Sequence, residues 1–190
     1  MDIVTATTQD LDAVMAIVQS CIAHMRAHGI DQWDDIYPDR ATFEEDVANG
    51  TLYLAVERQV CRGIMVLNAY QDPAYATVAW HYREEPILVV HRLAVDPMYQ
   101  GQGIASQLMD FAEAQGRSRG ARALRLDAFS QNPSAVRLYM KRQYRLAGPV
   151  TFRTGTFYCF ETLLGQAESS PGTGQQRLEH DVDRQAHKVN

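Results

Sequence analysis

His91-Arg-Leu-Ala-Val-Asp-Pro-Met-Tyr-Gln-Gly-Gln-Gly-Ile-Ala-Ser106 leads from an apolar run, through a glycine turn, directly into a helix. The run starts at Ile87 and reads ILVVHRLAV, and its lack of polar alternation predicts a strand buried on both faces. Beyond the turn, Ile104, Leu108, Phe111 and Ala112 recur at helical spacing. Gly101 and Gly103 have no Cβ, so the backbone there can approach a ligand closely. The first N–H groups of the helix lack intrahelical partners and carry the positive end of its dipole. Such a turn suits a phosphate or pyrophosphate. It equally suits a plain strand-to-helix connection, so the flanking sequence has to decide.

On the N-terminal side, residues 3–6 read as a short edge strand. Asp10 is placed to cap a helix whose apolar positions Leu11, Val14, Met15, Val18, Ile22 and Met25 lead to Gly29. Thr42 and Glu45 form a capping-box pattern for a second helix ending near Gly50. Strands are predicted over 51–57 and 63–70 with a tight turn near Gln59, and a further short one over 76–80. After the glycine turn come a strand over 123–129, a helix opened by Pro133, and two closing strands over 144–150 and 156–163. This order indicates an α/β or α+β fold, a mixed sheet covered by helices. Residues 165–190 lose apolar periodicity and are rich in Gly, Ser, Gln and charge, so a globular domain over 1–164 with a flexible tail is expected.

Three anion-binding patterns compete for the turn. A P-loop needs Gly-Lys-Ser/Thr, but Gly103 is followed by Ile104-Ala105. A dinucleotide fingerprint wants a glycine where Ser106 stands, and it normally follows the first strand. Gln100-x-x-Gly103-x-Ala105 resembles the Gln/Arg-x-x-Gly-x-Gly/Ala signature of the GCN5-related N-acetyltransferase (GNAT) family. Leu93-Ala-Val-Asp-Pro97 is similar to the end of that family's fourth strand, and Leu126-Asp-Ala-Phe-Ser-Gln-Asn132 to its fifth strand and exit. The stretch from Asn132 through Tyr139 and Lys141 to Tyr144 resembles the family's following helix, with Gln143 at its usual glycine position. A left-handed cap at the helix end is therefore in question.

The resemblance implies a mostly antiparallel sheet with splayed parallel fourth and fifth strands, and acetyl-coenzyme A as co-substrate without a metal. It places the pyrophosphate on the turn formed by Gln100, Gly101, Gln102, Gly103, Ile104, Ala105 and Ser106. It places the pantetheine arm along Leu93, Ala94 and Val95, with Asn132 as a further hydrogen-bonding partner; Asn132 is equally placed to cap the helix at Pro133. Arg137, Lys141 and Arg142 are candidates for an outer phosphate, or an ordinary solvated helix face. Tyr139 matches the family tyrosine that protonates the departing thiolate; as a bare sequence feature it is also an ordinary core tyrosine. His91 could deprotonate the amine, or be a core histidine of a buried strand, and Glu84 and Glu85 are alternatives. The loop 29–39 carries Trp33, Asp34 and Asp35 and would suit a cationic acceptor, or be a hydrated surface. The leading reading is direct N-acetylation of a small-molecule or peptide amine. The rivals are a non-catalytic acyl-coenzyme A-binding module and, further off, a nucleotide-dependent oxidoreductase.

Composition agrees with that class. Of 190 residues, 46% are hydrophobic, enough for a core, and the net charge of −5 argues against a nucleic-acid partner. The charge is uneven: −9 over residues 1–99 and +5 over 100–164. Cys21, Cys61 and Cys159 are far apart, with no CxxC pair, which disfavours a disulfide scaffold or a cysteine-rich zinc module. His24 and His28 share a helix face without an evident third ligand, so no metal site is read. No apolar run approaches membrane-spanning length and no leader is evident, so a cytoplasmic protein is expected, with a homodimer compatible with the fold. If the turn holds the donor, Gly103→Glu places bulk and negative charge where the pyrophosphate must approach. Calorimetry should then show acetyl-coenzyme A binding abolished while circular dichroism stays that of the wild type.

Overall fold

The computed structural model describes residues 1–165, so the expected tail from residue 166 onward lies outside the described residues. The elements are β1 (Asp2–Thr5), α1 (Leu11–Ala27), α2 (Arg40–Ala48), β2 (Leu52–Glu57), β3 (Val60–Asn68) and β4 (Ile87–Val95). They continue with α3 (Ile104–Ser118), β5 (Ala123–Phe129), α4 (Pro133–Lys141), β6 (Arg145–Phe152) and β7 (Gly155–Leu163). The strands form one sheet in the order β1-β2-β3-β4-β5-β7-β6. Every neighbouring pair is antiparallel except β4–β5, which is parallel. The expected mixed, mostly antiparallel sheet flanked by helices is thus the observed one.

Local chemistry explains most boundaries. Arg58 and Gln59 both take positive φ (51° and 65°), as a two-residue turn between β2 and β3 requires. The second helix starts earlier than the Thr42–Glu45 pattern suggests. Asp39 caps it, its Oδ1 accepting from the Thr42 amide at 2.9 Å and hydroxyl at 2.6 Å. The short strand expected over 76–80 is absent. Asp72 instead caps a 3-10 turn over Pro73–Thr77, and the indole of Trp80 donates to the Tyr75 carbonyl at 2.9 Å. Gln143 adopts φ 61°, so the left-handed helix cap forms without glycine, its amide bonding the Met140 carbonyl at 2.9 Å.

Alternation along the strands sorts the core onto two faces. On one, α3 and α4 cover Leu67, Val90, Leu124 and Leu126. On the other, α1 and α2 cover Leu52, Leu54, Ile64 and Val66. The segment around Tyr75 and Trp80 covers Val89, Phe129 and Cys159 of that same face. Fully buried Glu161 anchors this second cover, accepting from the amides of His81 (2.7 Å) and Tyr82 (3.2 Å). No helix among the described residues is long and apolar enough to cross a membrane.

Gly63 decides how closely α3 approaches the sheet. A Cβ there would lie 3.0 Å from the Ala94 carbonyl oxygen and 3.2 Å from Ile104 Cγ2, in the first turn of α3. Gly63→Val is therefore expected to overpack this contact and cost about 1–3 kcal/mol. Differential scanning calorimetry should register a fall in Tm of roughly 3–10 °C.

Candidate functional site

The parallel pairing of β4 with β5 runs from Ile87↔Ala123 to Val90↔Leu126 and then stops. Both strands continue, to Val95 and Phe129, so they part beyond that pair. His91 and Asp127 are the first residues past the fork. It opens into a cavity of about 1590 Å³, larger than a typical small-ligand pocket and roomy enough for a long co-substrate plus an acceptor.

The glycine turn forms one end of this cavity. Gly101 and Gly103 take φ 76° and 81°, and nothing lies within 4 Å of where their Cβ atoms would be. The side chain of Gln100 folds back, its Nε2 donating to the Val95 carbonyl at 3.1 Å, and the Cys21 thiol donates to the same oxygen at 3.4 Å. Burial raises the Cys21 thiol to about 12, so it is a proton donor there and not a nucleophile. The turn and arm residues expected from sequence, together with Asn132, all line the cavity except Gln102.

On the α4 side, Asn132 Oδ1 caps the helix by accepting from the Ala135 amide at 3.2 Å, while its Nδ2 donates to Gln32 Oε1 at 3.0 Å. Arg137 and Lys141 line the cavity, but Arg142 does not. It is bound to Asp110 and Glu113, each at 2.7 Å, and to the Ser106 carbonyl, which removes it from the phosphate candidates. Tyr139 is 5% exposed, lines the cavity, and has no hydrogen-bond partner for its hydroxyl among the described residues. Burial raises its phenol above the ordinary value, so it stays protonated.

His91 and Asp127 are brought together at the fork, and both line the cavity. His91 Nε2 sits 3.1 Å from both Asn68 Oδ1 and the Tyr70 carbonyl oxygen. The carbonyl can only accept, so Nε2 carries the proton and Nδ1 is the basic nitrogen. Burial, aided by the charge of Arg92, lowers His91 to about 4. Asp127 is the group that the sequence reading missed. Burial raises it to about 6, and Tyr75 donates a 2.6 Å hydrogen bond to its Oδ2. A carboxylate inside the apolar run Leu-Arg-Leu-Asp-Ala-Phe was the available signal; its tyrosine partner, 52 residues away, was not readable.

The acceptor-side expectations divide. Trp33 is 7% exposed and lines the cavity. Asp34 and Asp35 do not: Asp34 caps the amides of Ile36 and Tyr37 and pairs with Arg153 at 2.8 Å, while Asp35 meets Arg26 at 3.4 Å. Those contacts hold the Asp34 carboxyl below its usual range, the Ile36 amide first. Glu84 and Glu85 also lie away from the cavity, bound to Arg122 and to the Ile87 amide.

Arg92 sits in a bulge of β4. Its neighbours pair as Val66↔His91 and Ile64↔Ala94, so β4 holds one more residue than β3 across this interval. Its φ is 49°. A left-handed non-glycine residue costs about 1–2 kcal/mol. Its guanidinium is 12% exposed and grips both oxygens of Asp46, at 2.7 and 2.6 Å, and the Tyr37 hydroxyl at 2.8 Å. Removing one partner of such a buried pair costs about 3–5 kcal/mol, because it strands the other charge away from water.

The family model described as Acetyltransferase (GNAT) family matches residues 16–144. Among solved structures, a GNAT-family acetyltransferase from Streptococcus agalactiae is similar with a TM-score of 0.77 and 20% identity, covering 87% of this chain and 96% of that one. The ribosomal-protein-S18-alanine N-acetyltransferase of Escherichia coli is similar at TM-score 0.63 and 17% identity (88% and 96% covered). So is yncA of Salmonella typhimurium, solved with its cofactor acetyl-CoA, at TM-score 0.65 and 17% identity (90% and 98% covered). No curated protein matches the sequence. With the family model spanning most of the chain, and a fold similar to these structures, the chain belongs to the GNAT acetyltransferase family.

Proposed function

We propose that residues 1–164 form an N-acetyltransferase domain that moves the acetyl group of acetyl-coenzyme A directly to a primary amine of a small molecule, a peptide amino terminus or a lysine. One observation carries this reading. A single cavity joins the free amides of the glycine turn, the unbonded hydroxyl of Tyr139 and the carboxylate of Asp127. The turn takes the pyrophosphate on backbone N–H groups, with Arg137 and Lys141 near enough to serve the outer phosphate. The pantetheine arm lies in the fork, where Leu93, Ala94 and Val95 no longer pair with β5, and Asn132 meets it from the α4 side. Trp33 forms part of the acceptor wall.

The amine must lose a proton as it attacks, and the thiolate gains one as it leaves. Asp127, at about 6, is ionised at neutral pH and still basic enough to take that proton; the hydrogen bond from Tyr75 leaves its other oxygen for the amine. His91, at about 4, is neutral but a weaker base, so here it holds the wall formed by Asn68 and Tyr70. Tyr139 donates to the thiolate without ionising first.

An amine panel that reports released thiol tests the activity; release no faster with any amine than without one would leave only a coenzyme-binding module. With a working acceptor, Tyr139→Phe should lower kcat roughly 10- to 1,000-fold with little change in acetyl-coenzyme A affinity. The base is separable by pH. Asp127 must be ionised to accept a proton, so kcat/KM should fall as pH drops through about 6, and Asp127→Asn should remove that limb. A limb near 4 that survives Asp127→Asn and disappears in His91→Ala would return the role to His91.

A further inference from the structure

Four non-glycine residues among those described have positive φ. Arg58 and Gln59 make the β2–β3 turn and Gln143 caps α4, which explains three of them. Arg92 is different. It lies inside β4, two residues after Val90, the last that pairs with β5, at the point where the strand gains its extra residue. Strain held in mid-strand beside a ligand cavity points to a demand on the backbone there.

The surroundings show what holds it. Asp46, 6% exposed in α2, accepts two bonds from one guanidinium nitrogen. The other nitrogen donates to Tyr37 Oη in the loop between α1 and α2, and the Phe43 ring lies 5.9 Å from the guanidinium carbon. Arg92 therefore ties three things together: the kink in β4, the buried carboxylate of α2, and a loop residue that lines the cavity. Without the kink β4 would continue in register with β3, and each backbone group beyond it would turn to the opposite edge.

Resting on the acetyltransferase reading above, we propose that Arg92, clamped by Asp46, is a positioning residue. It fixes the left-handed kink that aims the backbone of Leu93 at the thioester carbonyl, and through Tyr37 it sets the acceptor wall against the same point. It touches neither reactant. Its effect is on the geometry of the reacting pair and not on capture of the coenzyme, whose pyrophosphate site lies at the glycine turn.

The test separates the clamp from the kink. In an Asp46→Asn background, which leaves no unpaired buried carboxylate, Arg92→Ala and Arg92→Gly both delete the guanidinium, but only glycine accepts φ near 49° freely. We expect the alanine variant to lose at least 30-fold in kcat with the acetyl-coenzyme A KM changed less than threefold. The glycine variant should recover at least fivefold of that loss. Calorimetry should show wild type binding acetyl-coenzyme A more tightly than coenzyme A, and the alanine variant losing that preference. A merely structural role would instead give equal kcat for both variants, following their Tm values; that result, or near-wild-type kcat in the alanine variant, overturns the inference. If the alanine variant does not fold, the same comparison is made between Asp46→Asn alone and its Arg92→Gly derivative, and a kcat in the derivative that only follows Tm again overturns it. A wild type that prefers neither ligand and acetylates no amine overturns the functional reading, and this inference with it.

Discussion

Two parallel strands at the centre of the sheet pair for only four register positions, Ile87↔Ala123 to Val90↔Leu126. Each is held more firmly by its other neighbour. β5 keeps full register with β7, from Ala123↔Leu163 to Phe129↔Phe157, while β4 stays with β3 up to Val95↔Gly63. Following different antiparallel partners, the two strands separate. Their facing edges then carry backbone N–H and C=O groups with no sheet partner, which an amide-bearing ligand can satisfy. The site is thus a place where the sheet is left unfinished between two well-made ladders.

Everything around the fork serves to keep it open and lined. The β4 bulge is pinned by the Arg92–Asp46 pair on one face. On the same face, the 3-10 turn near Tyr75 sends a phenol to Asp127. On the other, Gly63 lets α3 settle close enough to bring its first turn, and the glycines before it, to the end of β4. Gln100 and Cys21 then fasten that turn to the Val95 carbonyl. The large cavity is the joint product of these contacts, drawn from both faces of the sheet.

Charge distribution along the chain is a weaker guide than it first looks. The surplus of basic residues over 100–164 is partly consumed inside the fold: Arg142 by Asp110 and Glu113, Arg122 by Glu84, Arg125 by Gln71 and the Tyr82 carbonyl. Arg137 and Lys141 remain at the cavity. The acidic loop is likewise committed, Asp34 to Arg153 and Asp35 to Arg26. Two acids line the cavity: Asp72, which caps the 3-10 turn through the Ala74 amide, and Asp127 at the fork, which comes from the basic half of the sequence.

Local sequence was enough for whatever depends on neighbours along the chain. The apolar run at 87–95, the Gly101–Gly103 turn, the helical spacing after it and the Asn132–Pro133 start of α4 were all legible, and with them the family. Three local readings went astray for local reasons: Asp39 outcompeted Thr42 as the α2 cap, Asp72 capped a 3-10 turn where a short strand was expected over 76–80, and Gln143 took a left-handed conformation that glycine usually supplies. The rest required the folded chain. Tyr75 meets Asp127 across 52 positions, and Arg92 meets Asp46 across 46. Periodicity reports which side of an element is apolar, but not which distant polar groups share a buried point. Those pairings, and the protonation states that burial imposes on Asp127 and His91, exist only once the two faces of the sheet have been covered.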